Sequence, residues 1–477
     1  MSWNILESIM KHNKLYIGLG IAAAAIVLFE LILFILTGAF GRSAFYCLWG
    51  DDPELKRERT DVNWPKRGDI LDCKGRVIAT DRPVWDVHLD CTVYNGPEDD
   101  WRSLATDLAK ELEAILGKKT SAEYYSMLMK GRDEQKKYLT ICKSVGDSIT
   151  TALMRAPLLN MGQFDGGAIF QQSSARTYPF GKLGRRTIGY HISNDRAIGI
   201  EAAYNYLLYG KPGKTTYVRK NKKGRYYWKE KSRVEAIDGL NVTTTLDMDL
   251  MAVVDAQLRA AIEGRTDVKS ACAVLMEAKS GAVRAMTNLI AGEKGDTYEE
   301  YYNLAIGNEY EPGTIITELP AEILEQGLTD AKFDIEGLRD THYLVDEKEK
   351  VNVFCTPLHV LRIFGGIANG GEMFNPYLVT PSTSNTLCSK AEADSLKSAL
   401  NSRCLSTAIV PHPSINGSDR YRYPSGNREF ATTWCGIFNT RGNEYVLLCV
   451  VFSKPTKANA PQRDIPEKVA KGIKEKL

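Results

Sequence analysis

A hydroxyl at the start of a helix becomes a nucleophile only when a base one helical turn along takes its proton, which is why acyl-transfer sites place serine and lysine three residues apart. The stretch Tyr310-Glu311-Pro312-Gly313-Thr314-Ile315-Ile316-Thr317 sets up such a position. Pro312 and Gly313 make a turn, and Ile315, Ile316, Leu319, Ala321, Ile323 and Leu324 give the spacing of one buried helix, with Thr314 at its N-terminus. The position one turn on is Thr317, whose hydroxyl is no base. Thr314 would then need Glu318 or Asp346 as base; without one, Glu-Pro-Gly-Thr is an ordinary helix start with Thr314 as N-cap. His191, His342, His359 and His412 lie far apart and are read as surface or helix-end residues. The ten cysteines contain no Cys-x-x-Cys and have no nearby histidine pair, so neither a metal site nor a cofactor is expected. Cys272, Cys435 and Cys449 sit in apolar, strand-like runs and are expected to be buried small hydrophobes; disulfides cannot be paired from the sequence.

The elements that must position this turn run along 477 residues, enough for two or three domains. Sixty-one basic residues against 59 acidic ones leave a net charge of +2, so no nucleic-acid partner is expected. Leu15 to Leu36 is almost wholly apolar, interrupted by Tyr16 and Glu30, and about 20 such residues span a bilayer. With Lys11 and Lys14 before this stretch and Asp51 and Asp52 after it, the N-terminus is expected in the cytoplasm and the body outside. Ile70-Leu71 and Val77-Ile78-Ala79 read as a hairpin turning at Lys74-Gly75, and Trp101–Leu116 and Tyr124–Met129 carry helical spacing. Lys214 to Lys231 reads as a basic hairpin. Near residue 238 a domain boundary is expected, followed by a β-branched strand, a helix capped by Asp247, and a hairpin from Ala273 to Met286 turning at Lys279-Ser280-Gly281. A helix from Thr356-Pro357 to Gly370-Gly371, strands at 430–438 and 445–452, and a last helix from Glu467 complete the chain.

Several of these stretches stand in the order of one known family. Arg67-Gly68-Asp69-Ile70-Leu71-Asp72-Cys73-Lys74-Gly75-Arg76-Val77-Ile78-Ala79 resembles the Arg-Gly-x-Ile-x-Asp-x-x-Gly-x-x-Leu-Ala opening of the class B penicillin-binding proteins, with Ile78 at the usual leucine. Arg176-Thr177-Tyr178-Pro179, Gly199-Ile200-Glu201 and Leu208-Tyr209-Gly210-Lys211-Pro212-Gly213 follow, as do the Gly239-to-Asp247 entry, Asn303, Glu311-Pro312-Gly313, Thr356-Pro357-Leu358-His359 and Ala368-Asn369-Gly370-Gly371. The resemblance implies an α+β protein with a single N-terminal transmembrane helix, a pedestal (dimerisation-like) domain and a shortened β-lactamase/transpeptidase-like domain, whose central antiparallel sheet is flanked by helices. It places a cytoplasmic tail at 1–14, the anchor at 15–40, the pedestal at 41–237 and the transpeptidase-like domain at 238–477. Thr314 takes the position of the family nucleophile and Thr317 that of its lysine. The family's Ser-x-Asn and Lys-Thr-Gly are not found in place: 34 positions separate Thr317 from Val351, Ser414-Ile415-Asn416 comes after the Ala-Asn-Gly-Gly element, and Arg420 to Asn427, just upstream of the 430–438 strand, holds no Lys-Thr-Gly. Ser8-Ile9-Met10-Lys11 spells Ser-x-x-Lys on the cytoplasmic side. The implied role is a catalytically inactive structural or regulatory partner in peptidoglycan synthesis, in the plasma membrane with its bulk outside, meeting peptidoglycan or its precursors and cell-wall synthesis proteins. The alternative is an active D,D-transpeptidase using Thr314 or a relocated nucleophile.

Overall fold

The computed structural model describes residues 24–29, 58–193, 196–222, 225–292, 297–345, 351–400, 405–410, 429–440, 442–454 and 464–476. Of the apolar stretch Leu15–Leu36, six residues are described, an exposed helical piece at 24–29. The expected anchor otherwise lies outside the described residues, among which no helix is long and apolar enough to cross a membrane. Asp346, His412 and Ser414–Asn416 also lie outside them. By contacts the chain divides into two units, Met1–Trp64 with Lys211–Ile237, and Pro65–Gly210 with Asp238–Leu477.

In the larger unit, a six-stranded antiparallel sheet runs Tyr298–Glu299, Val283–Ala291, Val268–Glu277, Asn443–Ser453, Glu429–Thr440, Leu405–Val410 in spatial order. Val268–Glu277 pairs on one side with Val283–Ala291 (Val274 opposite Met286) and on the other with Asn443–Ser453 (Val274 opposite Leu448). Ala271 to Met276 and Val446 to Val451 are buried at every position, a run rather than an alternation, because these central strands are covered on both faces. Helices Met248–Ile262 and Asp464–Lys476 pack on each other and on the sheet, and helix Pro357–Ala368 packs on the central strands. Cys272, Cys435 and Cys449 are fully buried in this sheet, and none of the eight described cysteines is in a disulfide; burial pushes Cys272 up to about 12.

Helix Pro357–Ala368 is buried at every residue; of the two readings of His359 it excludes the surface one, since the ring is 3 % exposed, and keeps the helix-end one. The backbone N–H of Thr356 donates to His359 Nδ1 at 3.3 Å, and the Thr356 hydroxyl meets the same nitrogen at 2.8 Å. Burial, with Arg362 one turn on, lowers the imidazole to about 4, so it caps the helix as a neutral ring.

A second core gathers Val87, Leu89, Trp101, Leu108, Leu112, Leu128 and Leu153 between helices Glu98–Leu116 and Ser121–Asp133 and the strands Val77–Leu89, Leu139–Val145 and Ala168–Thr177. Thr120 and Glu123 close a capping box on the second helix, as the helical spacing there demands a start.

The family-like stretches far apart in sequence are held together by buried charge. Glu201, with no exposed surface, accepts from Arg67 Nε at 2.8 Å and Arg176 Nε at 2.7 Å. Arg176 also pairs with Asp81 at 3.2 Å, and Arg67 Nη1 donates to Asn205 at 2.6 Å. Gly68 donates its N–H to Leu208 O at 2.8 Å, and a Cβ there would lie 2.0 Å from Leu240 O, which only glycine avoids. The Arg67 segment thus packs on the 176–210 region, as the shared motifs imply. Lys74 and Arg76 at the hairpin tip reach Asp247 and Asp249 at the start of helix Met248–Ile262, where Asp247 caps by accepting from Asp249 N at 3.0 Å.

One titrating group in this unit carries a measurable consequence. Glu300 accepts from Arg186 N at 3.0 Å and Asn288 N at 3.1 Å, yet burial pushes its carboxyl up to about 7, with Asp255 adding to the rise and Arg259 opposing it. A folded-state value above the unfolded one means that the native protein holds the proton more tightly, so stability is fully present below about 4.5 and falls as pH rises through about 7. The expected loss is about 3 kcal/mol at most, from ~1.4 kcal/mol per unit. Urea midpoints at pH 5 and pH 8 check this: Glu300→Gln should flatten the difference, and an unchanged pH slope in that variant would contradict the assignment.

The smaller unit contains a three-stranded antiparallel sheet in the order Glu58–Asn63, Gly213–Lys222, Arg225–Val234. Glu58 pairs opposite Val218 and its carboxylate meets Lys231 Nζ at 2.5 Å.

Candidate active-site region

Tyr310 fixes the candidate turn to the sheet. Its backbone exchanges two hydrogen bonds of 3.1 Å with Cys355, its ring meets Phe452 edge-on at 5.7 Å, and its hydroxyl accepts from Thr433 Oγ1 at 3.2 Å. Burial holds that phenol neutral, well above its usual range. Gly313 then takes φ 75°, which an L side chain resists, and its carbonyl accepts from Ile316 N at 3.0 Å and Thr317 N at 3.1 Å.

The helix so begun is a single turn, Thr314–Thr317, and not the longer helix read from the apolar spacing. Pro320, extended at φ −54° and ψ 142°, cannot continue it and starts a separate helix, Ala321–Leu328. Ile315 and Ile316 are pegged into the core, leaving Thr314 exposed and Thr317 half-buried. Both predicted positions are therefore brought onto one turn, but among the described residues neither hydroxyl makes a hydrogen bond to a carboxylate, amine or imidazole. Glu318 is exposed and gives its N–H to Thr314 O at 3.3 Å. Among the described residues, no side chain is placed to draw the Thr314 proton.

The strand that flanks the one-turn helix is Leu405–Val410, which contacts it and pairs antiparallel with the sheet from Leu405 opposite Trp434 to Val410 opposite Glu429. Sequence reasoning looked for a cationic strand at Arg420–Asn427, immediately before the next strand. The structure puts the neighbouring strand further upstream, because 18 residues, 411–428, intervene outside the described part. The run Ala408-Ile409-Val410 was the signal that would have found it. This strand reads Leu-Ser-Thr-Ala-Ile-Val and contains no lysine or arginine with which to hold a carboxylate.

Between Thr317 and Val351 the chain has neither serine nor asparagine, so no proton relay of the Ser-x-Asn type can be drawn from it. The stretch braces the fold instead. Asp334 accepts from Leu378 N, Val379 N and Thr380 N at 2.9, 2.7 and 2.9 Å and from the Tyr204 hydroxyl at 3.0 Å. Glu336 takes Arg186 Nη1 at 2.7 Å, and the fully buried Arg362 donates to Gly327 O and Thr329 O at 2.8 and 2.9 Å, closing the C-terminus of helix Ala321–Leu328. Sequence reasoning missed these three residues, since each acts on a partner at least 33 positions away.

Comparison with known proteins agrees with this geometry. Residues 63–244 match the family described as Penicillin-binding Protein dimerisation domain. The chain is 23 % identical over 256 residues to the peptidoglycan D,D-transpeptidase FtsI of Buchnera aphidicola subsp. Baizongia pistaciae, covering 52 % of this chain and 41 % of that protein. It is 25 % identical over 232 residues to the penicillin-binding protein PbpB of Mycobacterium tuberculosis, covering 47 % and 32 %. The chain thus spans well under half the length of these curated relatives. Among solved structures, penicillin-binding protein 2X of Streptococcus thermophilus superposes with a TM-score of 0.61 at 16 % identity, covering 88 % of this chain and 80 % of that one. PBP2 of Helicobacter pylori, solved in complex with MreC, gives 0.54 at 14 % identity, covering 88 % and 99 %. At such identities the structural likeness speaks for the fold.

Proposed function

We propose, from the chain's membership of the class B penicillin-binding proteins, that it serves peptidoglycan synthesis as a structural or regulatory partner and does not itself cross-link. The observation that carries this reading is the pair of threonines on the turn Thr314–Thr317, flanked by a strand without a cation. A threonine hydroxyl with no base beside it among the described residues, no Ser-x-Asn before Val351 and a flanking strand without a cation has none of the three aids to acyl transfer, whose removal costs about 10³- to 10⁶-fold in rate. What the chain keeps is the frame: a pedestal held by the Arg67–Glu201–Arg176 cluster and a sheet with its flanking helices. In this reading residues 15–40 anchor the protein in the plasma membrane, 41–237 form the pedestal and 238–477 the transpeptidase-like domain, with the bulk outside the cell. Its partners are peptidoglycan or its precursors and other proteins of cell-wall synthesis, in keeping with the MreC complex of the Helicobacter pylori relative.

Membranes bearing the protein, labelled with a fluorescent penicillin, are expected to give no covalent band at its mass. A band that disappears in Thr314→Ala would reverse the conclusion and establish the other reading, a D,D-transpeptidase acting through Thr314.

A further inference from the structure

Strand Ala168–Thr177 runs unbroken beside Val77–Leu89, from Leu89 opposite Ala168 to Thr80 opposite Thr177, and among the described residues no strand pairs with its other edge. Ala168-Ile169-Phe170-Gln171-Gln172-Ser173-Ser174-Ala175 holds no charge, proline or glycine. Gln171 to Ser174 are exposed at four successive positions, so neither face of the ribbon is covered there and an incoming strand meets no layer above or below it. The strand is fixed from its inner side, where Tyr138 donates its hydroxyl to Gln171 at 2.7 Å and Ser174 donates to Asp81 at 3.0 Å. Its outer row of backbone groups has no ladder partner among the described residues. Such a row pairs readily with an extended chain, and proteins blunt it with charge, proline, bulges or brevity. Other edges of this chain are blunted: Arg225–Val234 carries Lys229, Glu230, Lys231 and Arg233, and Leu139–Val145 carries Lys143, two register shifts and Ser144 at φ 54°. Tyr298–Glu299 has two residues, and Leu405–Val410 contacts the turn Thr314–Thr317.

We propose that Phe170–Ala175 is the seam of a homodimer, in which this strand pairs antiparallel with the same strand of a second copy. Two-fold pairing makes a strand its own backbone complement, each outward N–H meeting a C=O of the other copy. Centred between Gln172 and Ser173, it sets Gln171 opposite Ser174 and Phe170 opposite Ala175, so no charge meets its like. A partner of other sequence finds no charge on this edge by which to be selected. Six residues a side are few beside the roughly 20–30 of a standard interface, so the dimer is expected to be reversible. Pairing along this edge neither needs nor excludes chemistry at the Thr314 turn.

The full chain in detergent micelles is followed by sedimentation equilibrium, with hydrogen exchange of residues 170–175 read at low and high protein concentration. A dimer that dissociates on dilution is expected, and exchange within 170–175 should slow about tenfold or more as it forms. Gln172→Lys with Ser173→Lys sets four ammonium groups on the seam and should weaken the dimer about tenfold or more. Gln172→Glu with Ser173→Glu should do the same, and mixing the two variants should restore a dimer containing one of each. Hydrogen exchange across Val77–Leu89 that matches the parent reports that both variants fold. A parent that stays monomeric overturns the proposal, as does a dimer that both charged variants keep undiminished, which would place the contact on another surface. In intact membranes, photocrosslinking from p-benzoylphenylalanine introduced at Gln172 should give a band at twice the mass of the chain. A band at another mass with no doubled one assigns the edge to a different protein's strand and overturns the second copy.

Discussion

Glu201→Ala is expected to lower stability by about 3–5 kcal/mol, because it removes one member of a buried ion cluster and strands the others. Glu201 has no exposed surface and is gripped from both sides: Arg67 reaches Oε2 through Nε at 2.8 Å and Nη2 at 2.7 Å, and Arg176 Nε reaches Oε1 at 2.7 Å. The two arginine side chains are only 11 % and 13 % exposed, so neither turns readily to water when the carboxylate is gone. Among the described residues Arg176 Nη2 already lacks a hydrogen-bond partner, and Asp81, at 3.2 Å from its Nη1, would be left to balance both charges. Glu201→Gln keeps the shape and one acceptor oxygen and should cost less than the alanine change. Guanidinium unfolding of both variants, followed by tryptophan fluorescence, measures this; a loss below about 1 kcal/mol for the alanine variant would mean that water enters and solvates the arginines. Since the cluster joins strands and helices from residues 67, 81, 176 and 201, the loss should appear as weakened hydrogen-exchange protection across these elements and not at one loop.

Thr314→Ser combined with Thr317→Lys is expected to remain unlabelled by penicillin. The pair restores a nucleophile and a base on one helical turn, where i and i+3 are neighbours. Two needs remain unmet. No serine or asparagine lies between Thr317 and Val351 to return a proton to the leaving group, and the flanking strand Leu405–Val410 offers no cation to the substrate carboxylate. A single missing donor at the oxyanion costs ~3 kcal/mol. The new lysine would start from a half-buried position beside Ile315 and Ile316, which are 4 % and 0 % exposed, and an unpaired ammonium there either loses its proton or loosens the turn. The double variant should therefore melt below the parent. Stoichiometric acylation would instead show that the groove is intact and that the Ser–Lys pair alone was lost.

Local chemistry was legible in the chain. The Ile70–Leu71/Val77 hairpin, the caps at Thr356 and Asp247, the helices ending at Leu116 and Ala368 and the buried cysteines of the sheet follow from turn residues, caps and apolar period, all of which act within a few positions. The order of short motifs likewise pointed to the family before any geometry was known. Apolar spacing alone overran the one-turn helix at Thr314, because spacing records which residues are buried and not where Pro320 interrupts the backbone.

What the chain alone determined, then, is the identity of the groups: threonine at 314 and 317, no serine or asparagine before Val351, and a basic, aromatic run from Arg219 to Lys229. Tertiary structure decided which groups meet. It set Leu405–Val410 beside the turn with 87 residues between Thr317 and Leu405, put Glu201 between two arginines 109 positions apart, and turned His359 inward as a neutral cap. Each of these depends on strand register or on long-range burial, where a shift of one residue reverses a face and a buried charge must find its partner wherever the fold brings one.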